Sequence, residues 1–288
     1  MIRRTLLALA CLLPFSAVAQ DRFITLASAI PAEQSGLLGH LIPLFRQQTG
    51  INVRVVAVGT GQALEIGMRG DADALLVYDR AGEARFVAEG HGRDRRDVMF
   101  NDFVVVGPKT DPANIRDLRD APEAFRRIAQ AKASFVSRSA DSGNHRKELW
   151  LWKLAGVEKP AGEWYRESGQ GARSTLSLAA GLNGYTLTDR ASWASFKNRG
   201  DLEVLAEREP ALVNLYGSIL VNPAKGAHIK AADAKTWHEW LTSEAGRKAI
   251  ASFKVGGEQI FFPAGTGPRS QHSSSCYALR RPFFADQC

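Results

Sequence analysis

Asn52-Val53-Arg54-Val55-Val56-Ala57-Val58-Gly59-Thr60-Gly61-Gln62-Ala63-Leu64 joins a run of strand length and strand composition to a small, hydroxylic turn and then to an apolar pattern of helical spacing through Arg69. β-Branched residues suit the pleated strand, and Thr60 between two glycines suits a helix start. The same sentence is written elsewhere in the chain. Strand-like runs recur at Phe23 to Ala27, Ala74 to Tyr78, Phe103 to Gly107, Ser134 to Ser137, Gly184 to Leu187, Leu202 to Ala206 and Ser218 to Asn222. Between them, Gly36 to Thr49, Ala81 to Glu89, Glu123 to Lys132, Asn144 to Leu154, Ser174 to Gly181, Ala231 to Leu241 and Ser243 to Ser252 carry helical periodicity. Alternation of this kind predicts an α/β protein with mainly parallel sheets flanked by helices.

Strand ends that run into a capped helix place backbone N–H groups and hydroxyls at the carboxyl edge of a sheet, where ligands bind in open α/β folds. Three turns have this form: Val58-Gly59-Thr60-Gly61, Ser137-Arg138-Ser139 leading to Asp141-Ser142-Gly143, and Leu187-Thr188-Asp189. Any one of Thr60, Ser142 and Thr188 reads as a simple cap. Three such turns in two halves of the chain point to a shared pocket. Arg138 is the cation embedded in them, and its planar fork matches an oxyanion as well as a carboxylate such as Asp141. The residues by themselves leave both pairings open.

Composition narrows the function. The 288 residues are 45% hydrophobic and 23% charged, with 37 basic against 30 acidic side chains. That is a globular balance with enough chain for two lobes. Residues Met1 to Ala19 read as a secretory signal: basic Arg3-Arg4, an apolar stretch from Leu6 to Phe15, and small residues Ala17-Val18-Ala19 before the cut. The stretch is short for a membrane anchor, and cleavage ahead of Cys11, as in a lipoprotein, would leave little apolar segment. Cleavage after Ala19 leaves 269 residues with 35 basic and 30 acidic groups, a net charge of +5. Two cysteines remain, Cys276 and Cys288, and in an oxidising compartment they are expected to pair; free thiols are the alternative.

Motifs for reaction chemistry are missing. There is no Gly-x-Ser-x-Gly elbow, no phosphate loop ending in Gly-Lys-Ser/Thr and no His-Glu-x-x-His, and the six histidines are scattered singly. No cofactor, metal or nucleic-acid partner is expected; the clusters Arg93-Asp94-Arg95-Arg96 and Arg280-Arg281 read as solvated surface.

The ordered motifs Ser35-Gly36-Leu37-Leu38, Val58 to Leu64, Gly70-Asp71-Ala72-Asp73, Arg96 to Phe103, Ser137-Arg138, Asp141-Ser142-Gly143, Lys147-Glu148-Leu149, Gly169-Gln170-Gly171, Tyr185 to Arg190, Trp240 to Ser243 and Phe261-Phe262-Pro263 resemble the periplasmic tungstate-binding components of ABC uptake systems. These are type II solute-binding proteins related to the molybdate binders, and the resemblance spans about Phe23 to Pro263. It implies two α/β lobes, 20–102 with 220–263 and 103–219, followed by a tail at 264–288. Hinge strands are implied near Asn101 to Val106 and Tyr216 to Val221. It also implies a tetrahedral oxyanion, tungstate or molybdate, held between the lobes by a monomeric periplasmic receptor that delivers it to an ABC permease. Arg138 is then the cationic ligand, with Thr60, Ser137, Ser142, Asn144, Ser28 and Thr188 around it.

The chain departs from the family pattern in four places. Ser28-Ala29-Ile30-Pro31 replaces a threonine run ending in Ser, which leaves one hydroxyl and a proline without an N–H. Ala140 stands where an acid is frequent, Asn144 where Thr is usual, and Arg173 adds a cation. A receptor of the same fold for phosphate or a small organic anion is the first alternative. An exported enzyme using His145 or Asp141 as base is the second.

Overall fold

The computed structural model describes residues 22–139 and 142–265. The signal segment, the Cys276–Cys288 pairing, Asp141 and the tail beyond Gly265 all lie outside the described residues. Chain order is β1 (Phe23–Ala29), α1 (Ile30–Gln34), α2 (Leu37–Thr49), β2 (Asn52–Val58), α3 (Thr60–Arg69), β3 (Ala74–Val77) and α4 (Arg80–Ala88). There follow β4 (Gly92–Pro108), α5 (Ala121–Gln130), β5 (Phe135–Ser137), α6 (Gly143–Leu154), β6 (Tyr165–Glu167), α7 (Ala172–Gly181), β7 (Thr186–Asp189) and α8 (Arg190–Ser195). The chain continues through β8 (Leu202–Ala206), β9 (Val213–Val221), α9 (Ala231–Thr242), α10 (Glu244–Ser252), the hairpin β10 (Lys254–Val255) and β11 (Glu258–Gln259), and β12 (Phe262–Pro263).

The expected α/β architecture is present, and its parallel pairs follow the expected βαβ logic. β1 lies between β2 and β3, parallel to both, in registers that place Phe23 opposite Asn52 and Leu26 opposite Ala74. β5 runs parallel to β6, and Phe135 bridges to Tyr185 in the parallel sense. Antiparallel pairing enters through two long strands. β9 pairs antiparallel with β3 on one side and with Gly92 to Asp102 of β4 on the other. At Phe103, β4 exchanges that partner for β7, antiparallel over Phe103 to Val106, and β8 covers its other edge up to Pro108. One continuous strand therefore belongs to two sets of neighbours, which is how it ties the halves of the molecule together.

The first half of β4 was expected to be solvated surface. Arg95 corrects this in part: its guanidinium donates from Nε to the buried Glu83 at 2.6 Å and also pairs with Asp97, whereas Arg93 on the same strand is exposed. Charge alternation along a strand with one covered face hides its periodicity, because the inward cation is neutralised by a carboxylate from α4.

The core fills both halves. On the α5–β5–α6 side, Trp152 packs edge-on against Phe125 and Phe135, with ring centroids 4.5 and 5.0 Å apart, and all three are fully buried. Interlocked rings of this kind fix the relation of α6 to β5, and with it the loop between them. On the far face of β3, Leu64, Leu75, Phe86 and Ile219 form a second cluster; Val104, Val106, Leu176 and Trp193 form a third behind β4 and β7.

Candidate anion site between the two halves

All seven residues expected at the site are buried, although six are polar and neutral and one is a cation: Ser28, Thr60, Ser137, Arg138, Ser142, Asn144 and Thr188 range from 0 to 6% exposed. Burial of this much polar surface is costly unless partners are supplied. Some are satisfied within the protein. Ser142 is the N-cap of α6, its Oγ accepting from the His145 N–H at 3.2 Å. Ser28 Oγ donates to the Leu76 carbonyl at 3.2 Å. Ser137 Oγ donates to Glu148 at 2.9 Å and accepts from the Ser139 N–H at 3.2 Å.

Others are not satisfied. Thr60 Oγ1, Asn144 Oδ1 and Thr188 Oγ1 are buried with no protein partner. They come from three different strand ends: Thr60 opens α3 after β2, Asn144 lies in the first turn of α6 after β5, and Thr188 stands near the end of β7. Buried polar groups are nearly always paired, so each of these atoms is left open to a further partner.

Arg138 follows β5 directly. Its Nε donates to the Gln170 carbonyl at 3.3 Å, and its own carbonyl accepts from Ser168 Oγ at 3.2 Å, so the Gly169-Gln170-Gly171 turn grips it from below. The next residue, Ser139, has a left-handed backbone with φ of 46°, a conformation that non-glycine residues rarely adopt and that re-aims the chain toward α6. Behind the loop, Glu148 is almost wholly buried and accepts from Ser137, from Trp152 Nε1 at 3.2 Å and from the Tyr165 hydroxyl at 2.8 Å. Both Ser137 Oγ and Glu148 Oε2 approach the same His145 nitrogen, Nδ1, at 3.3 and 3.8 Å. A nucleophile–base relay needs the two ring nitrogens to face different partners, so this cluster braces the loop without forming a relay.

The Arg138 charge acts on the Tyr78 phenol, just beyond β3, and on the carboxyl group of Asp189. Burial pushes the Tyr78 phenol up, with the Asp189 charge adding to the shift and Arg138 opposing it. Sequence reasoning passed over Tyr78 and Asp189. Tyr78 ended a strand-like run and carried no further signal. Asp189 preceded a helix, α8, that is only six residues long and shows no periodicity; its cap role, with Oδ1 accepting from the Ser192 N–H at 2.9 Å, was the available signal.

The two halves touch across the site. Arg146 of α6 forms an ion pair with Asp79, the residue before α4, its Nε 2.7 Å from the carboxylate. The start of α6 lies so close to Tyr78 that a Cβ added at Gly143 would sit 2.6 Å from the Tyr78 ring and still nearer its carbonyl oxygen. α1 packs against α8. The Ser28–Pro31 segment is the end of β1 running into α1, with Pro31 in the first turn; it was read as a loop, and a five-residue helix gives no periodic signal. Arg173, on α7, is exposed.

A family model described as a PBP superfamily domain matches residues 16–245. The chain belongs to this superfamily. It is 43% identical over 232 residues to the tungstate-binding protein TupA of Peptoclostridium acidaminophilum, covering 80% of this chain and 81% of that protein. A tungstate-binding protein from Desulfovibrio alaskensis G20 superposes with a TM-score of 0.74 at 39% identity, covering 84% of this chain and 98% of that one. The tungstate ABC transporter protein from Geobacter sulfurreducens gives the same TM-score at 43% identity, over 80% and 98%.

Proposed function

We propose that this protein is the capture component of an ABC uptake system for a tetrahedral oxyanion, tungstate or molybdate, working outside the inner membrane as a monomer and handing its cargo to a permease. One observation carries the reading: the hydroxyls Thr60 Oγ1 and Thr188 Oγ1 are buried without partners and, with the buried cation Arg138, come from both halves of the chain. Arg138 neutralises charge, Thr60 and Thr188 donate from hydroxyls, the Asn144 amide supplies another N–H, and the first turn of α6 offers backbone N–H groups. Ser142 and Ser137 hold that turn in shape. The relatives named for binding tungstate support the choice of anion.

In this reading the lobes are separated at Asp102/Phe103, where β4 changes partners, as the resemblance implied. The return crossing lies between β8 and β9, so residues 213–219 go with the first lobe. A ligand held between lobes favours the closed state. Small-angle scattering is expected to show a more compact particle with saturating tungstate; an unchanged profile counts against a hinge.

A second reading, phosphate, is favoured by acceptors in the site. Monohydrogen phosphate carries a proton, and Asn144 Oδ1 and Asp189 Oδ2 are both buried acceptors without partners. A thermal-shift and calorimetric panel of tungstate, molybdate, sulfate and phosphate decides between them, because a ligand selective for the native state raises its melting temperature by mass action. Tight binding of tungstate or molybdate with weak phosphate binding is the expected result. Phosphate outcompeting both overturns the choice of anion, and no shift with any oxyanion together with turnover of an ester would favour the enzyme.

A further inference from the structure

Asp189 follows Thr188 at the end of β7 and is coupled electrostatically to Arg138, and the oxyanion reading assigns it no work. It is 0% exposed; Oδ1 accepts the Ser192 N–H at the start of α8, and Oδ2 is buried without a partner. The groups coupled to it electrostatically include Arg138 from the β5–α6 loop, Tyr78 from the end of β3 and Tyr216 from β9. Arg146 reaches Tyr78 from α6 but is held by Asp79, and Arg190, next along α8, is held by Asp102 and Glu207.

Charge counting then makes a demand. Arg138 and an ionised Asp189 cancel, so a doubly charged anion would enter a desolvated pocket with no net positive charge to meet it. Like charges that close in a water-poor site cannot all stay ionised. Bound tungstate or molybdate brings no proton, whereas Asp189 has a free oxygen on which to place one, and burial already pushes its carboxyl up before any anion arrives.

We propose that the pocket takes up its dianion together with one proton from solvent, which settles on Asp189 Oδ2 and turns this acceptor into a donor toward the bound oxygens. The proposal rests on the oxyanion reading of the site. It makes Asp189 a specificity-determining residue: a ligand that carries its own proton, such as monohydrogen phosphate, needs no uptake, and one that carries none must draw it from water.

The test is calorimetry of sodium tungstate binding to the full chain from about pH 6.5 to pH 9, in pairs of buffers with different heats of ionisation. The apparent enthalpy is expected to change with the buffer heat, with a slope rising toward one proton taken up per anion. Affinity is expected to fall by up to about tenfold per pH unit in the same range. Asp189→Asn, isosteric with the protonated acid and still able to cap α8, should remove the slope and flatten the pH dependence. His40→Gln, on α2 and paired with Ala249 and Ser252, should keep both. Tungstate binding to the unaltered chain with zero proton uptake throughout overturns the proposal, even where Asp189→Asn fails to fold; so does a slope that persists in Asp189→Asn. No binding of tungstate or molybdate at any pH overturns the oxyanion reading itself.

Discussion

On the Thr60 side of the cleft the polar groups are few and partly spent. Ser28 gives its hydroxyl to the Leu76 carbonyl, Ala29 and Ile30 offer none, and Pro31 has no N–H, so Thr60 and the Tyr78 hydroxyl are what this side presents. On the Arg138 side stand the cation, two of the three orphaned atoms, a helix start capped by Ser142, and a loop braced from behind by Glu148. One side carries charge on a rigid mount and the other supplies neutral cover and a surface to close against. Affinity is thereby expected to reside with Arg138 and its neighbours, and closure with the contacts from Tyr78 and Asp79.

Substitutions can break that division. Arg138→Ala removes the charge from the strong side and leaves a desolvated anion short of its counter-ion; a loss of roughly 2 to 5 kcal/mol is expected, enough to abolish measurable binding by calorimetry. Gly143→Ala adds a methyl where Tyr78 already stands and holds the two sides apart without touching Arg138. It is expected to lower affinity by about 1 to 3 kcal/mol and to blunt the compaction seen by scattering, while the melting temperature without ligand is kept.

Asp79→Asn sharpens the comparison by weakening only the cross-cleft pair. The Arg146 side chain is 36% and that of Asp79 12% exposed, so screening keeps the expected loss near 1 kcal/mol, read as a weaker affinity that is less sensitive to salt. Ser28→Ala is the smallest. Its hydroxyl is committed to Leu76, so the cost of about 1 kcal/mol should appear in the melting temperature and hardly at all in anion affinity. A larger effect on affinity would place Ser28 on the ligand.

The sequence spelled out those parts whose physics is local. β2 and β8 lie where their composition placed them, at Asn52–Val58 and Leu202–Ala206, and α10 starts from the Ser243 cap at the expected place. Helices too short for periodicity, α1 and α8, were hidden, as was the charged first half of β4, whose inward Arg95 is neutralised only by a partner distant in sequence. The site divides in the same way. Arg138, Thr60, Ser142 and Thr188 announced themselves through turn chemistry at strand ends. Asn144 stood in the polar run around Arg138, and Ser28 came from the resemblance alone. Tyr78 gave no signal and Asp189 only that of a helix cap, because what sets them apart is coupling to Arg138 from more than fifty residues away in the chain.

Anomalous diffraction at the tungsten edge, from crystals grown with stoichiometric tungstate, puts the anion directly on the map. One strong peak among Arg138, Thr60, Asn144 and Thr188, and its loss in crystals of Arg138→Ala, is the expected result. A single well-occupied peak elsewhere, with those buried groups left unliganded, would contradict the assignment of this cleft as the capture site.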